Sequence, residues 1–327
     1  MSTTVRQEHS EILRHAAARA SLAPSIHNTQ PWRFRIGPNT LELRADRDRR
    51  LRVLDPTGRQ LMLSMGCALL NARVALAASR REVSIQRFPT PADPGLVARL
   101  VISDRIAPWQ PLVRLDPAID RRHSNRREFF ETRVSEEVQW ELMAAAEAEG
   151  SVLVPVSNDR HRLEVARLLW EAEAEQSDDP AYRAEVREWT SGIAGRRDGI
   201  SPRSYPMSSD DRGEIPLRDF GLKVGGHMAP VTDSGRDQCL MILGSAVDSD
   251  LAWLRAGEAL ERLWLEATRL DHVASLFTQL IEVPELREEL RAQLGLGCEP
   301  LVLIRVGQAA PNVATNRRDL DQLIDEM

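Results

Sequence analysis

Apolar positions along the chain switch between two periods, and the switches lay out the elements. Ile12, Ala16 and Ala20 recur on one face of a helix over about 5–20, which Pro24 ends. Trp32, Phe34 and Ile36 alternate with Arg33 and Arg35. Leu41, Leu43 and Ala45 alternate again beyond Gly37-Pro38-Asn39, so the pattern predicts a hairpin. An Ala/Leu-rich helix over about 59–79 follows, then alternation at Val83 and Ile85 and an apolar segment over 96–102. Beyond a Pro-rich connector at 107–111, a helix over about 136–149 has Ser135 as N-cap and Glu136 and Glu137 at its positive end. Val152, Val154 and Val156 predict a strand, and helices are expected over 159–176 and 181–190. A buried strand over 239–247, helices over 250–270 and 284–294 and a strand over 301–306 complete the order. Residues 191–237 are rich in Gly, Pro, Ser and Asp without periodicity, a length of irregular chain that marks a functional lid or a disordered segment.

The order hides a repeat. The segment from Gly66 to Ile85 lines up with that from Gly257 to Leu276 at an offset of 191, with Gly, Ala and Leu at matching places and Ser84 against Ser275. Ala16–Ala18 resembles Ala144–Ala146 at an offset of 128, so the second copy carries an insertion between its first strand and its long helix. The repeat predicts an α+β chain of two degenerate halves, 1–110 and 111–327, the second with a lid insertion at about 191–237. Chance likeness between two Ala/Leu helices is the competing explanation.

Composition narrows the function classes. The chain has 327 residues, 42% hydrophobic and 28% charged, enough for a sizeable core in one large or two small domains. A net charge of -6 argues against a general nucleic-acid binder. No uninterrupted apolar run reaches the ~18 residues of a membrane span, and charged residues break the N-terminus, so a cytoplasmic protein is expected. Cys67, Cys239 and Cys298 are odd in number and far apart, which predicts buried reduced thiols, and the histidines make no metal triad. Tryptophans 32, 109, 140, 170, 189, 253 and 264 are expected mostly as core anchors.

Two segments carry candidate chemistry. In APSIHNTQPWRF at 23–34, small and polar residues join a helix end to a strand, which suits holding a flat heterocycle; a turn satisfying its own backbone is the alternative. In RRHSNRREF at 121–129, arginine forks beside Ser124 suit a phosphate dianion; a solvated basic face is the alternative. Arg317-Arg318 forms a further basic pair.

Together these segments resemble the nitroreductase family. A-P-S-x-x-N-x-Q-P-W is similar to its flavin-contacting loop and R-R-x-S-x-R-x-F to its phosphate motif. Here the usual order is reversed and each motif occurs once, as in a fused pseudo-dimer that has lost one of two flavin sites. D-P-T-G-R-Q at 55–60, W-L-R-A-G-E-A-L at 253–260 and R-V-G at 305–307 further resemble the Acg family of actinobacterial nitroreductase-like proteins.

The resemblance implies a nitroreductase-like fold with mainly antiparallel sheets flanked by helices. It implies FMN as cofactor, with Ser25, His27, Asn28 and Gln30 facing the isoalloxazine or ribityl chain and Trp32 packed behind. Arg122, Ser124 and Arg126 would hold the phosphate, closed over by Arg317 or Arg318, and the backbone at Ile281 and Glu282 would approach flavin N5. The implied activity is NAD(P)H-dependent, ping-pong hydride transfer through the flavin to a small nitroaromatic or quinone-type acceptor, by a monomer or homodimer. The alternative is a catalytically silent protein that stores or sequesters FMN under the lid.

Overall fold

The computed structural model describes residues 3–127, 129–190, 195–201, 239–310 and 314–325; most of the expected lid, with Gly225, Gly226 and His227, lies outside them. Helix α1 (Thr3–Ser21) leads into β1 (Trp32–Ile36), β2 (Thr40–Ala45), α2 (Arg59–Ala78), β3 (Arg81–Arg87) and β4 (Leu96–Ile106). A short α3 (Asp116–Arg121) precedes α4 (Glu136–Glu147), β5 (Val152–Pro155), α5 (Asp159–Asp178) and α6 (Pro180–Thr190). Then come β6 (Cys239–Ser245), α7 (Asp250–Arg269), β7 (Val273–Phe277), α8 (Gln279–Glu282), α9 (Pro284–Gln293) and β8 (Glu299–Gly307), with α10 (Leu320–Leu323) and β9 (Ile324–Asp325) last.

The strands form two sheets with matching order. One runs β3-β4-β2-β1 and the other β7-β8-β6-β5, with every one of these neighbours antiparallel. The repeat offset is kept in the helices, since α2 shifted by 191 coincides with α7. The insertion sits inside the second hairpin, between β5 and β6, and includes α5 and α6. One element breaks the correspondence: β9 returns to the first sheet and lies parallel to β1, Phe34 opposite Ile324. Neither β7 nor β9 stands out in the hydrophobic pattern.

Helices α2 and α7 cross at the two glycines that the repeat aligns. A Cβ on Gly66 would lie 2.1 Å from the Leu254 oxygen, and one on Gly257 2.1 Å from the Leu63 oxygen. Only glycine allows backbones this close. The start of α2 explains the Asp55–Gln60 run, because the Asp55 carboxylate accepts from the amides of Gln60 (3.0 Å) and Leu61 (2.9 Å) and Gly58 supplies the left-handed turn. Ser135 caps α4 through Val138 N–H, as expected. One apolar cluster runs through both halves, including Trp32, Phe34, Leu69, Leu263 and Trp264. Helix α2 is apolar enough to pass for a membrane span, yet it is buried nearly throughout, as a core helix is. The tryptophan expectation fails at two places: Trp109 and Trp140 are 65% and 66% exposed.

Candidate functional site

The connector from α1 to β1, residues 22–31, is held in a conformation that its residue types resist. His27, Asn28 and Gln30 all have positive φ (45°, 54° and 49°), each costing roughly 1–2 kcal/mol for an L-residue. Bonds from around the loop hold it there. Ile26 N–H donates to Ser64 Oγ (3.1 Å) and Gln30 N–H to Ser25 Oγ (2.9 Å). Asn28 Nδ2 donates to the carbonyls of Gly199 (3.0 Å) and Asn316 (3.2 Å), while its Oδ1 accepts from Arg317 (3.2 Å). Gln30 is buried, donates to the Arg197 carbonyl (2.9 Å) and accepts from Arg318 N–H (2.8 Å). The corresponding connector of the second half, residues 148–151, is too short to form such a loop.

Facing this loop is the basic segment. Asn125 N–H donates to the Ala274 carbonyl (2.9 Å), which fastens the segment alongside β7. Pro24, Ser25, Asn28, Arg122, His123, Ser124, Arg126, Ile200, Thr315 and Arg317 line a small pocket. Arg122 is almost wholly buried: its Nε lies 3.2 Å from Glu261, it donates to the Leu22 carbonyl (3.2 Å) and it stacks on Trp264. Burial, then Arg122 and Arg317, push the His123 imidazole below its usual range, so at neutral pH the pocket's positive charge rests on its arginines. Burial and the neighbouring Arg122 lower Arg317 to about 9, still protonated at pH 7. Burial raises the Glu261 carboxyl to about 7 against the pull of Arg122. Guanidiniums held together against their own repulsion, with one weak counter-charge, are built to receive an anion.

The pocket adjoins a larger chamber that shares Pro24, Ser25, Ser124 and Arg126. Its other walls are Ile26 and His27 of the loop, Gln60, Leu63, Ser64 and Cys67 of α2, Leu260 of α7, Ser275–Thr278 and Val302. A chamber lined by apolar and a few polar groups and sharing four residues with an anion pocket suits a planar heterocycle carrying a phosphate.

The structure brings Ser25, His27, Asn28, Ser124, Arg126, Arg122 and Arg317 around this cleft. Gln30 and Arg318 stand behind the loop and hold it, and Trp32 is buried in the core beyond them. Ile281 and Glu282 do not line the cleft. They form the one turn of α8, where both backbone N–H groups donate to the Thr278 carbonyl (2.9 Å each). Sequence reasoning missed Gln60, Ser64, Cys67 and Ser275–Thr278 as lining residues. The aligned long helices were the available signal, since a site between two halves must draw on both.

Shifting the lining by 191 locates the matching place in the other half. Cys67 becomes Glu258 and Thr278 becomes Arg87, and these two are paired at 2.6 Å. Arg73 joins both Glu258 and Glu149, and Arg262 reaches Glu149 at 2.8 Å. A cluster of five charges fills that position.

No family model matches the chain. It is 36% identical over 96% of its length, and 91% of the relative's, to a Mycobacterium tuberculosis H37Rv protein bearing the provisional name NAD(P)H nitroreductase Rv3131. It is 32% identical, over 96% of its length and 95% of the relative's, to the same organism's Acg protein, which bears the same provisional name. A solved nitroreductase with bound FMN from Desulfitobacterium hafniense DCB-2 covers 64% of this chain, and 96% of its own is covered, at 15% identity and a TM-score of 0.42, too distant to carry an argument. The match to the mycobacterial proteins spans 96% of the chain, and the chain belongs to the Acg-like branch of the nitroreductase family.

Proposed function

We propose that the protein is a nitroreductase-type oxidoreductase with one FMN site per chain, built between halves that divide at about residue 110, with NAD(P)H as electron donor and a small nitroaromatic or quinone-type acceptor. The observation that carries this reading is the cleft itself, a basic pocket adjoining a larger chamber lined by apolar and a few polar groups. The flavin, when bound, supplies the chemistry by taking two electrons from the nicotinamide and passing them to the acceptor. The chain's residues bind and orient. Arg122, Ser124, Arg126 and Arg317 face the phosphate, with Arg122 held in place by Glu261 and the Leu22 carbonyl. Ser25 and His27 border the ring, while Asn28, Gln30 and Arg318 keep the strained loop in place.

A second reading, FMN held without turnover, draws on residues 197–199. Their backbone bonds to Asn28 and Gln30 lay that segment against the loop. The purified protein should be yellow and should bleach within seconds on anaerobic addition of excess NADPH. A yellow protein that stays oxidised favours storage. In that case deleting 202–237, which spares the 195–201 anchor, should speed reduction. A colourless protein that FMN cannot reconstitute overturns both readings.

A further inference from the structure

Gln60, a buried polar residue of the chamber, has no role in the binding scheme above. Gln60 lines the chamber and is only 5% exposed, and its Nε2 has no hydrogen-bond partner. Its backbone is fully used: the N–H donates to Asp55 (3.0 Å) and the carbonyl accepts from Ser64 Oγ (2.7 Å). A buried amide donor with nothing to bond is costly by about 1–3 kcal/mol and calls for an explanation.

The chamber offers polar and apolar contacts. Gln60 and Ser64 on α2 meet the polar loop, with Ile26 N–H bonded to Ser64 Oγ. Leu63, Leu260, Leu276, Phe277 and Val302 are apolar, with Ser275 and Thr278 among them. An isoalloxazine also combines the two. One end is a dimethylbenzene, and the other is an imide in which an N–H at position 3 stands between two carbonyls. A carboxamide carries a donor and an acceptor side by side, so it can donate to one imide carbonyl while accepting from N3–H.

We propose that the Gln60 carboxamide recognises the imide edge of the isoalloxazine and so fixes which way round the ring lies in the chamber. The proposal rests on the flavin reading above. It makes Gln60 a specificity-determining residue that selects flavins with an unsubstituted N3.

The test titrates apo-protein with FMN and with FMN methylated at N3, following quenching of flavin fluorescence, for the wild type, Gln60→Met and Gln60→Glu. Wild type should bind FMN about tenfold more tightly than the methylated ligand, the factor expected for one buried hydrogen bond. Gln60→Met should lose about tenfold or more for FMN, which gives up both bonds, and clearly less for the methylated ligand, which has already lost the N3–H bond and keeps only the carbonyl for Nε2. Gln60→Glu, equal in size, should also lose about tenfold or more for FMN, since a carboxylate would face an imide carbonyl. If the Met variant does not fold, the Glu variant decides. Equal binding of both ligands by the wild type overturns the proposal, as does FMN affinity that either folded variant leaves unchanged or an equal loss for both ligands. A wild type that binds neither ligand overturns the flavin reading itself, and this proposal with it.

Discussion

Alanine at Gly257 would place a methyl group 2.1 Å from the Leu63 oxygen and 2.8 Å from the Leu63 carbonyl carbon, where an ordinary contact begins near 3.4 Å. Helices α2 and α7 would have to separate by about 1 Å, and no rotamer can relieve the clash because both partners are backbone. Overpacking that side chains can absorb costs about 1–3 kcal/mol. A backbone clash between two buried helices belongs at the top of that range or above. Alanine returns about 1 kcal/mol through its better helix propensity, so a net loss of about 2–3 kcal/mol is expected. For a chain of this size that corresponds to a fall of roughly 5–10 °C in Tm. Thermal melts without added flavin, supported by guanidinium midpoints, read the effect. Gly66→Ala should behave alike, because its methyl would sit 2.1 Å from the Leu254 oxygen. The double variant should lose clearly less than the sum, since one separation makes room for both methyls. Cys67 donates to the Gly257 carbonyl (3.3 Å) and lines the chamber, so flavin retention should fall in the same variants. Melting within 1–2 °C of the wild type, for either single variant, would refute the tight crossing.

Arg126→Ala and Ser124→Ala should each weaken FMN binding by about tenfold or more while leaving riboflavin, which lacks the phosphate, nearly unaffected; unchanged FMN content in both purified variants would remove the phosphate assignment. Glu258→Ala strands Arg87 and leaves Arg73 with Glu149 alone, and should destabilise the fold by about 3 kcal/mol, read in a urea titration. Burial raises the Glu261 carboxyl to about 7, so the folded chain holds this proton more tightly than the unfolded one. Stability from this group is full below about pH 4.5 and lost as pH rises through 7, on the order of 3 kcal/mol. Urea midpoints between pH 5 and 8 should therefore fall more steeply in the wild type than in Glu261→Gln.

What could be read from the sequence depended on how local its cause was. Helices α2 and α7 are long and periodic, and their shared offset made the two-half plan visible before any contact was known. The 23–34 loop stood out because small polar residues at a helix–strand junction have few other uses. Strands β7 and β9 are short, and the sheet that receives them decides them more than their own pattern does. Ile281 and Glu282 were expected to offer backbone N–H groups to a ligand, but one helical turn uses both on Thr278, and nothing in their side chains reports that. Arg122 lines the anion pocket, and the Glu261 contact on a distant helix that also holds it could not be read from local pattern. Gln60 was hidden because it falls at the start of the helix expected over 59–79, where its backbone does serve the helix start.

The five-charge cluster opposite the cleft bears on how such a chain can evolve. Arg73, Arg87, Glu149, Glu258 and Arg262 share partners unevenly: each carboxylate has two arginines, whereas Arg87 depends on Glu258 and Arg262 on Glu149. Losing one arginine leaves both carboxylates paired, but losing either carboxylate leaves an arginine without its partner. The cluster therefore sets an order of change, in which arginines can go first and the carboxylates only after them.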